Sequence, residues 1–213
     1  MNVKRTLLKI YDTLYTHFGP QHWWPGDTPF EIAVGAILTQ NTNWSNVEKA
    51  IGNLKEARVL SAKALYNLPS ERLASLIRPA GYFNIKAKRL KSFLHFLNKY
   101  YRGSMKRMGR KDLITLRQEL LNVNGIGPET ADSILLYALD KPIFVIDAYT
   151  RRVLSRHKVM DHAASYDEYQ QLFHNTFATD VQLFNEYHAL FVMAGKNYCK
   201  PAPRCGECPL QHL

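Results

Sequence analysis

The stretch "LNVNGIGPETADSILLYAL", residues 121–139, decides the fold because it places a glycine turn between two helical patterns. Apolar residues recur at three- and four-residue spacing before the turn, in "KDLITLRQELLNV", and again after it. Gly125 and Gly127 let the chain reverse tightly, and Pro128 suits the first turn of a helix because its missing N–H costs little there. The stretch therefore predicts two helices joined by a hairpin, with Ile126 plugging the turn into the core.

The rest of the chain is also helical in pattern. Segments such as "SNVEKAIGNLKEA" and "IKAKRLKSFLHFLNKYY" repeat apolar residues at helical spacing. The β-branched run "IFVID", residues 143–147, has no partner strand, so we interpret it as a buried connection into a helix. No pair of alternating strands and no long linker is evident. The sequence predicts an all-α fold whose division, if any, lies between packed helical lobes.

Charge points to a polyanionic partner. The 213 residues carry a formal net charge of +10, which favours nucleic acid, although a merely soluble basic protein is the alternative. No stretch reaches the ~18 apolar residues of a membrane span, and the N-terminus lacks the features of a signal peptide. We expect a cytoplasmic protein with no membrane partner.

The hairpin offers a phosphate site. The backbone N–H groups of Gly125, Ile126 and Gly127 and the positive end of the second helix dipole can hold a DNA phosphate. The alternative is an ordinary corner between two helices, with glycine in the turn. The local residues alone leave both interpretations open.

Five segments together resemble the endonuclease III branch of the helix-hairpin-helix (HhH-GPD) DNA glycosylases. They are "ILTQNT", "AGYFNIKAKRL", the hairpin, "FVIDAYTRRVLSR" and the tail "HALFVMAGKNYC" with two further cysteines. The resemblance covers nearly the whole chain. It implies two helical lobes: a six-helix lobe at 22–141 that ends in the hairpin, and a second lobe formed by 1–21 with 142–213. It also implies a monomeric base-excision repair enzyme that acts at the nucleoid on double-stranded DNA containing a damaged base.

Asp147 matches the catalytic aspartate of this family. A carboxylate there stabilises the positive charge that develops on the sugar when an N-glycosidic bond breaks, and it can orient the attacking water. The alternative is a helix N-cap, for which Asp is favoured. Both roles can hold at once, with one oxygen capping the helix.

Glu129 stands where bifunctional relatives carry a lysine that forms a Schiff base with the sugar. A carboxylate cannot do this, so the resemblance implies a monofunctional glycosylase without AP-lyase activity. Glu129 is either an acid that suits the first turn of a helix or a residue of the base pocket.

The tryptophans predict the base pocket. A glycosylase extrudes its base and stacks it between aromatic side chains, and aromatic faces attract a cationic methylated purine. Trp23, Trp24, Pro25 and Trp44 resemble the pocket of the monofunctional 3-methyladenine subgroup. The alternative is that some of these tryptophans belong to the core.

Other residues match positions that contact DNA. Gln40 matches the side chain that enters the gap left by the flipped base, and Tyr82 matches the wedge beside it. The alternatives are a helix-capping glutamine and a core tyrosine. Basic residues follow Tyr82 and are expected to contact phosphates unless they form only a solvated helix face: Lys86, Lys88, Arg89 and Lys91.

The cysteine tail predicts a metal loop. Cys199, Cys205 and Cys208 are spaced C-x5-C-x2-C, one residue short of the family's C-x6-C-x2-C-x5-C iron–sulfur loop. A [4Fe–4S] cluster takes four thiolates, and a fourth at the family spacing would fall at position 214. We expect a cluster with a structural and DNA-docking role. The alternatives are structural zinc with His212 as a ligand, or no metal.

Two rival functions are compatible with the sequence. One is a related glycosylase that removes oxidised pyrimidines or mismatched bases. The other is a non-catalytic hairpin module that only binds DNA, against which the acid Asp147 argues.

Overall fold

The computed structural model describes residues 2–23 and 26–213. The α-helices in chain order are α1 Val3–Phe18, α2 Pro29–Leu38, α3 Trp44–Glu56, α4 Ala62–Asn67, α5 Ser70–Leu76, α6 Phe83–Tyr101, α7 Met105–Met108, α8 Leu113–Leu121, α9 Pro128–Ser133, α10 Ala148–Arg156, α11 Tyr166–His174 and α12 Val181–Asn197. Shorter turns are two 3-10 segments, Arg78–Ala80 and Cys205–Glu207, and a π-helical turn, Ile134–Ala138. Neither described range contains a β-strand, so the all-α prediction is confirmed.

The chain forms two compact units. The contiguous unit is Trp24–Lys141, and the discontinuous unit combines Met1–Trp23 with Pro142–Leu213. The described residues of the contiguous unit contain eight α-helical segments, two more than the six expected for this lobe. Sequence periodicity misses a segment such as α7, because a four-residue turn capped by Ser104 is too short to show a period.

Side-chain caps set where most helices begin. An Asn, Ser, Thr or Asp oxygen accepts a backbone N–H of the first turn and so satisfies a donor that has no partner within the helix. These caps are Asn2, Thr28, Asn43, Ser61, Ser104, Asp112, Asp147, Ser165 and Asp180. At α11, Ser165 and Glu168 form a reciprocal capping box.

An aromatic cluster fills the core of the discontinuous unit. The rings of Phe144 and Phe173 stack with centroids 3.6 Å apart, and those of Tyr187 and Phe191 stack at 4.8 Å. The Tyr187 hydroxyl donates to the Leu7 carbonyl at 2.7 Å, which joins α12 to α1. Burial raises the pKa of Tyr187 well above its usual value, so this hydroxyl keeps its proton.

The segment before α10 runs through this core without forming a strand. Residues 143–146 are all buried, and Gln170 donates to the Phe144 carbonyl at 2.7 Å. The prediction of a buried connection into a helix is confirmed. This connection delivers Asp147 to the start of α10.

In the contiguous unit α2 is buried on nearly every side, and α6 presents one buried face. Gly35 of α2 faces the ring of Trp44, and a Cβ there would lie 3.4 Å from Cη2, an ordinary van der Waals contact. No helix of the described residues is both long and apolar enough to cross a bilayer.

Candidate active site

The hairpin between α8 and α9 has the geometry that its sequence predicts. Gly125 takes a φ of +86°, and a Cβ there would lie 2.2 Å from Cγ of Arg89, so only glycine fits. Ile126 is buried and donates its N–H to the Val123 carbonyl at 3.0 Å. Gly127 is extended and exposed at the head of α9, where no side chain caps the helix. The turn therefore presents backbone at the positive end of a helix.

A buried ion pair holds the two hairpin helices together. Arg117 of α8 donates through Nε to Oδ1 of Asp132 at 2.7 Å and through Nη2 to Oδ2 at 3.1 Å. Asp132 of α9 is fully buried. A paired fork of this kind fixes both distance and orientation, so the turn lies on a rigid support.

Gln40 contacts the hairpin from the turn that follows α2. Its Nε2 donates to the Gly125 carbonyl and to Oγ1 of Thr130, each at 2.9 Å, and its Oε1 accepts from Nη1 of Arg89. Insertion of Gln40 into a DNA gap, as predicted, conflicts with these contacts because the amide is already used inside the unit.

Tyr82 is exposed, whereas Lys86, the first basic residue after it, is buried. Tyr82 has a left-handed backbone, with a φ of 44°, and its side chain is 69% exposed, which suits the predicted wedge. The predicted phosphate contact of Lys86 is wrong for this structure. Its ammonium is buried and donates to the carbonyls of Leu38 at 2.8 Å and Ala80 at 2.7 Å. Burial, aided by the nearby Arg89 charge, lowers the pKa of Lys86 to about 8.

The other basic residues of α6 also differ in exposure. Lys91 donates to the carbonyls of Leu65 at 2.8 Å and Tyr66 at 2.9 Å, while Arg89 contacts Gln40, so both serve the fold. Lys88 is exposed. Of the four predicted phosphate contacts, Lys88 is the one whose side chain lies open to solvent.

Asp147 is the N-cap of α10 and is buried. Its Oδ1 accepts the Thr150 N–H at 2.7 Å, while Oδ2 lies 3.6 Å from Nε2 of His188 on α12. Burial by itself raises the pKa of this carboxyl. The nearby His188, together with the Thr150 hydrogen bond, outweighs that effect, and the net pKa is lowered. The site can therefore hold an anion in a place that excludes most water.

The predicted pocket residues fall in different parts of the chain. Trp23 belongs to the discontinuous unit, where the Lys196 ammonium lies 5.4 Å from its ring centroid. Trp44 belongs to the contiguous unit, where it begins α3 and packs on Gly35. Both rings are half-buried. Trp24 and Pro25 lie outside the described residues.

Glu129 is exposed in the first turn of α9, and its carbonyl accepts from the Ser133 hydroxyl at 2.7 Å. The helix dipole stabilises an acid at this position. An amine at this position is absent, as the sequence indicated.

The cysteine loop is fastened to α10. Arg156 donates to the carbonyls of Lys200 at 2.6 Å and Pro201 at 3.0 Å, and its Nη1 lies 3.3 Å from Sγ of Cys199. Burial, with smaller contributions from the other two cysteines, raises the pKa of Cys208. Within residues 2–23 and 26–213, no group of three or more His, Cys, Asp or Glu side chains is arranged to hold a metal ion. Three thiols do not complete a four-thiolate site.

Sequence reasoning missed His188, Arg117 and Thr130 as partners of the site. His188 lies 41 positions from Asp147, and no local pattern links the two. The sequence contains a weak sign that Arg117 and Asp132 pair, because opposite charges flank the hairpin.

The fold and these side chains define a two-unit helical protein with a rigid helix-hairpin-helix and a buried, ionised carboxylate at a helix start. The model of the HhH-GPD superfamily of base excision DNA repair proteins matches residues 34–192. This chain belongs to that superfamily, and the resemblance noted in its sequence is confirmed.

Individual relatives agree with this membership. The chain is 47% identical over 209 residues to the Methanocaldococcus jannaschii protein named "Putative DNA repair glycosylase MJ1434", with 97% of this chain and 94% of the relative covered. It is 27% identical to endonuclease III of Thermotoga maritima, with 86% and 81% covered.

Solved structures give the same fold. The 3-methyladenine DNA glycosylase MagIII of H. pylori, bound to 1,N6-ethenoadenine, superposes with a TM-score of 0.77 at 30% identity, covering 92% of this chain and 98% of MagIII. A trapped endonuclease III–DNA covalent intermediate superposes with a TM-score of 0.86 at 24% identity, covering 100% and 96%. At that identity the second likeness concerns the fold alone.

Proposed function

We propose that this DNA repair glycosylase is monofunctional and hydrolyses the N-glycosidic bond of an alkylated purine of the 3-methyladenine type. The observation that carries the proposal is Asp147, a buried carboxylate that stays ionised at the start of α10. A protein that only binds DNA gains nothing from an anion held in this way, because the anion repels phosphates. Catalysis at a cationic sugar does gain from it.

Asp147 performs the chemistry in this scheme. As the bond to the base breaks, positive charge develops on the sugar, and the fixed carboxylate stabilises it. The same carboxylate orients a water molecule and accepts its proton as the water attacks. Thr150 holds one oxygen of Asp147 at 2.7 Å, so the carboxylate needs little reorganisation during the reaction.

Water is the nucleophile because residue 129 is an acid. Glu129 provides no amine for a Schiff base, and the product is an abasic site in an uncut strand. Support also comes from the 30% identity to MagIII, which is a 3-methyladenine glycosylase.

The DNA partner is double-stranded and carries the damaged base, and the enzyme acts as a monomer. The hairpin backbone at Gly125–Gly127 holds a phosphate, and Lys88 adds a second phosphate contact. Tyr82 inserts as a wedge into the DNA duplex. Trp44 stacks on the extruded base. Trp23 is a separate candidate for the same role. The Trp23 ring already carries the Lys196 ammonium at 5.4 Å, which supports its affinity for a cation.

A [4Fe–4S] cluster on Cys199, Cys205 and Cys208, with a fourth ligand still to be identified, is proposed as a structural element. When bound, it would stabilise the cysteine loop, which already contacts α10, and it would take no part in hydrolysis. Iron and sulfide analysis of anaerobically purified protein tests this. Stoichiometric zinc would show a zinc site in place of the cluster. Metal-free protein whose melting temperature is the same with and without added iron and sulfide would overturn the proposal.

Assays on a panel of damaged duplexes test the function. Each duplex is incubated with enzyme and then treated with or without hot alkali, which cuts abasic sites. We expect strand cleavage on 3-methyladenine DNA that requires alkali, and none with Asp147→Asn, which still binds DNA. Cleavage of oxidised-pyrimidine or mismatched DNA in its place would establish the rival specificity. Near-normal turnover by Asp147→Asn would remove the proposed mechanism.

A further inference from the structure

A run of positive charge joins α6 to α8. Residues 99–111, here called the basic segment, contain six Lys and Arg residues and no Asp or Glu. All six side chains are exposed: Lys99, Arg102, Lys106, Arg107, Arg110 and Lys111. The formal net charge of the whole chain is +10, so a large share of it is concentrated in one short part of the contiguous unit.

Neighbouring acids leave most of this charge uncompensated. Lys111 lies 3.8 Å from the Glu119 carboxylate, and the Lys99 ammonium lies 5.1 Å from the Tyr100 ring centroid. Within residues 2–23 and 26–213, no carboxylate forms an ion pair with the other four cations, Arg102, Lys106, Arg107 and Arg110. Because like charges repel, such a cluster favours the binding of a polyanion.

An open groove lies beside the basic segment, between α6 and the end of α8. Its volume is about 640 Å³, which is in the range of sites that hold small organic groups. Phe96 and Val123 are its buried apolar residues, and Lys99 and Tyr100 line it next to the basic segment. Tyr100 is 62% exposed, so its ring is available to stack on a planar partner.

One acid lines the groove, and a cation and a hydroxyl compensate it. The Glu119 carboxylate accepts from the Tyr101 hydroxyl and lies 3.8 Å from Nζ of Lys111. Burial, followed by the hydrogen bond to Glu119, raises the pKa of Tyr101, so this hydroxyl keeps its proton. Lys91 and His95 also line the groove. Positive charge therefore lies beside apolar and aromatic groups.

We propose that the basic segment and this groove form a second nucleic-acid surface, which binds single-stranded DNA. Cations that contact the backbone, with aromatic rings on which bases stack, are the features that single-strand sites share. A duplex can use the same cations, but its bases are already stacked on one another and cannot use the Tyr100 ring.

This surface is separate from the residues assigned to base release. It lies at the C-terminal end of α6, whereas Tyr82 precedes the N-terminal end. A helix of 19 residues is about 28 Å long, so one helix length separates the two places. The inference therefore goes beyond the proposed function, because neither a damaged base nor its release is involved.

The test measures the fluorescence anisotropy of a labelled oligo(dT) of about 16 nucleotides. Replacing Lys106, Arg107 and Arg110 together with Gln should weaken binding about tenfold at low salt. The slope of log affinity against log salt should become shallower by about 2, because each contacted phosphate of a single strand contributes about 0.7. Tyr100→Ala should also weaken binding about tenfold, but with an unchanged slope, because it removes stacking and no charge.

Matched variants control for charge and for the ring. Replacing Lys4, Arg5 and Lys9 together with Gln removes the same charge from exposed positions of α1 and should leave oligo(dT) affinity nearly unchanged. Tyr100→Phe keeps the ring and should bind as the wild type does. A lesion-free duplex of the same length should bind Tyr100→Ala as tightly as the wild type, and melting temperatures should not change.

Three results would overturn the assignment. They are an α1 control that weakens oligo(dT) binding as much as the basic-segment variant, full affinity of Tyr100→Ala, and equal losses for single strand and duplex in Tyr100→Ala. The oligo(dT) contains no damaged base, so the outcome is independent of base release. A wild type that releases no base but shows the expected losses would remove the proposed function and support this surface.

Discussion

Nε2 of His188 lies 3.6 Å from Oδ2 of Asp147, so one histidine of α12 supports the carboxylate at the start of α10. Without it, only the Thr150 hydrogen bond would oppose the effect of burial, which raises the pKa of Asp147, and the carboxyl would be neutral over a wider pH range. Activity that requires an ionised Asp147 therefore depends on His188.

Replacing His188 with Gln should shift the acid limb of the pH–rate profile. Because the Asp147 pKa is lowered in the native enzyme, wild-type kcat/KM should persist into acid and fall only as pH drops through that lowered value. In His188→Gln the limb should move to higher pH, with smaller effects at alkaline pH. His162→Gln, an exposed control, should leave the profile unchanged. A uniform loss of activity at every pH would show a merely structural role.

Borohydride should trap no covalent enzyme–DNA adduct, because residue 129 provides no amine. The assay is a denaturing gel of enzyme incubated with damaged duplex and borohydride. Glu129→Gln should also give no adduct and should retain most activity if the acid only suits the helix dipole. A trapped band with the wild type would mean that another lysine attacks the sugar, and the monofunctional assignment would be wrong.

Replacing Trp44 with Ala should slow release of a cationic methylated purine by about thirtyfold per folded molecule, the equivalent of roughly 2 kcal/mol of lost cation–π contact. Trp44→Phe should retain part of the rate. In Trp44→Ala, the release of a neutral damaged purine should slow less than the release of a cationic one. Rates are measured at low temperature, with the folded fraction taken from circular dichroism. Full activity of the folded Trp44→Ala enzyme would place this ring in the core alone.

The buried lysine should make stability depend on pH in a particular window. The pKa of Lys86 is about 8 in the folded chain and near 10.5 in the unfolded chain, so the unfolded chain binds more protons between these values. The free energy of unfolding of the wild type relative to Lys86→Met should therefore rise across this window, by about 3 kcal/mol in total. Urea titrations at several pH values measure it. Lys88→Met, which removes an exposed lysine, should show a flat difference.

Local chemistry explains what the sequence could predict. Gly125, Ile126 and Pro128 specify the hairpin because each fills a position with a defined backbone or burial requirement. Asp147 could be assigned both as a cap and as an acid, since a carboxylate has two oxygens. One of them does cap α10, at 2.7 Å from the Thr150 nitrogen.

Other parts of the site depend on contacts that a sequence does not display. Gln40 meets Gly125 across 85 positions and Arg89 across 49, and nothing local specifies either contact. Lys86 is different, because it lies four residues before Leu90 on the buried face of α6. Helical spacing is the signal that the phosphate prediction for Lys86 overlooked, because residues four apart lie on one face of a helix.

The pairing of α1 with α12 has a consequence for the order of folding during synthesis. Tyr187 reaches Leu7 across 180 positions, so α1 must wait for α12 to be synthesised. The contiguous unit is made of residues 24–141, so its whole sequence is available while residues 142–213 are still being translated. Closing such a long loop is slow and leaves the apolar face of α1 exposed in the meantime. Misfolding of the nascent chain should therefore begin in the discontinuous unit, the one that carries Asp147.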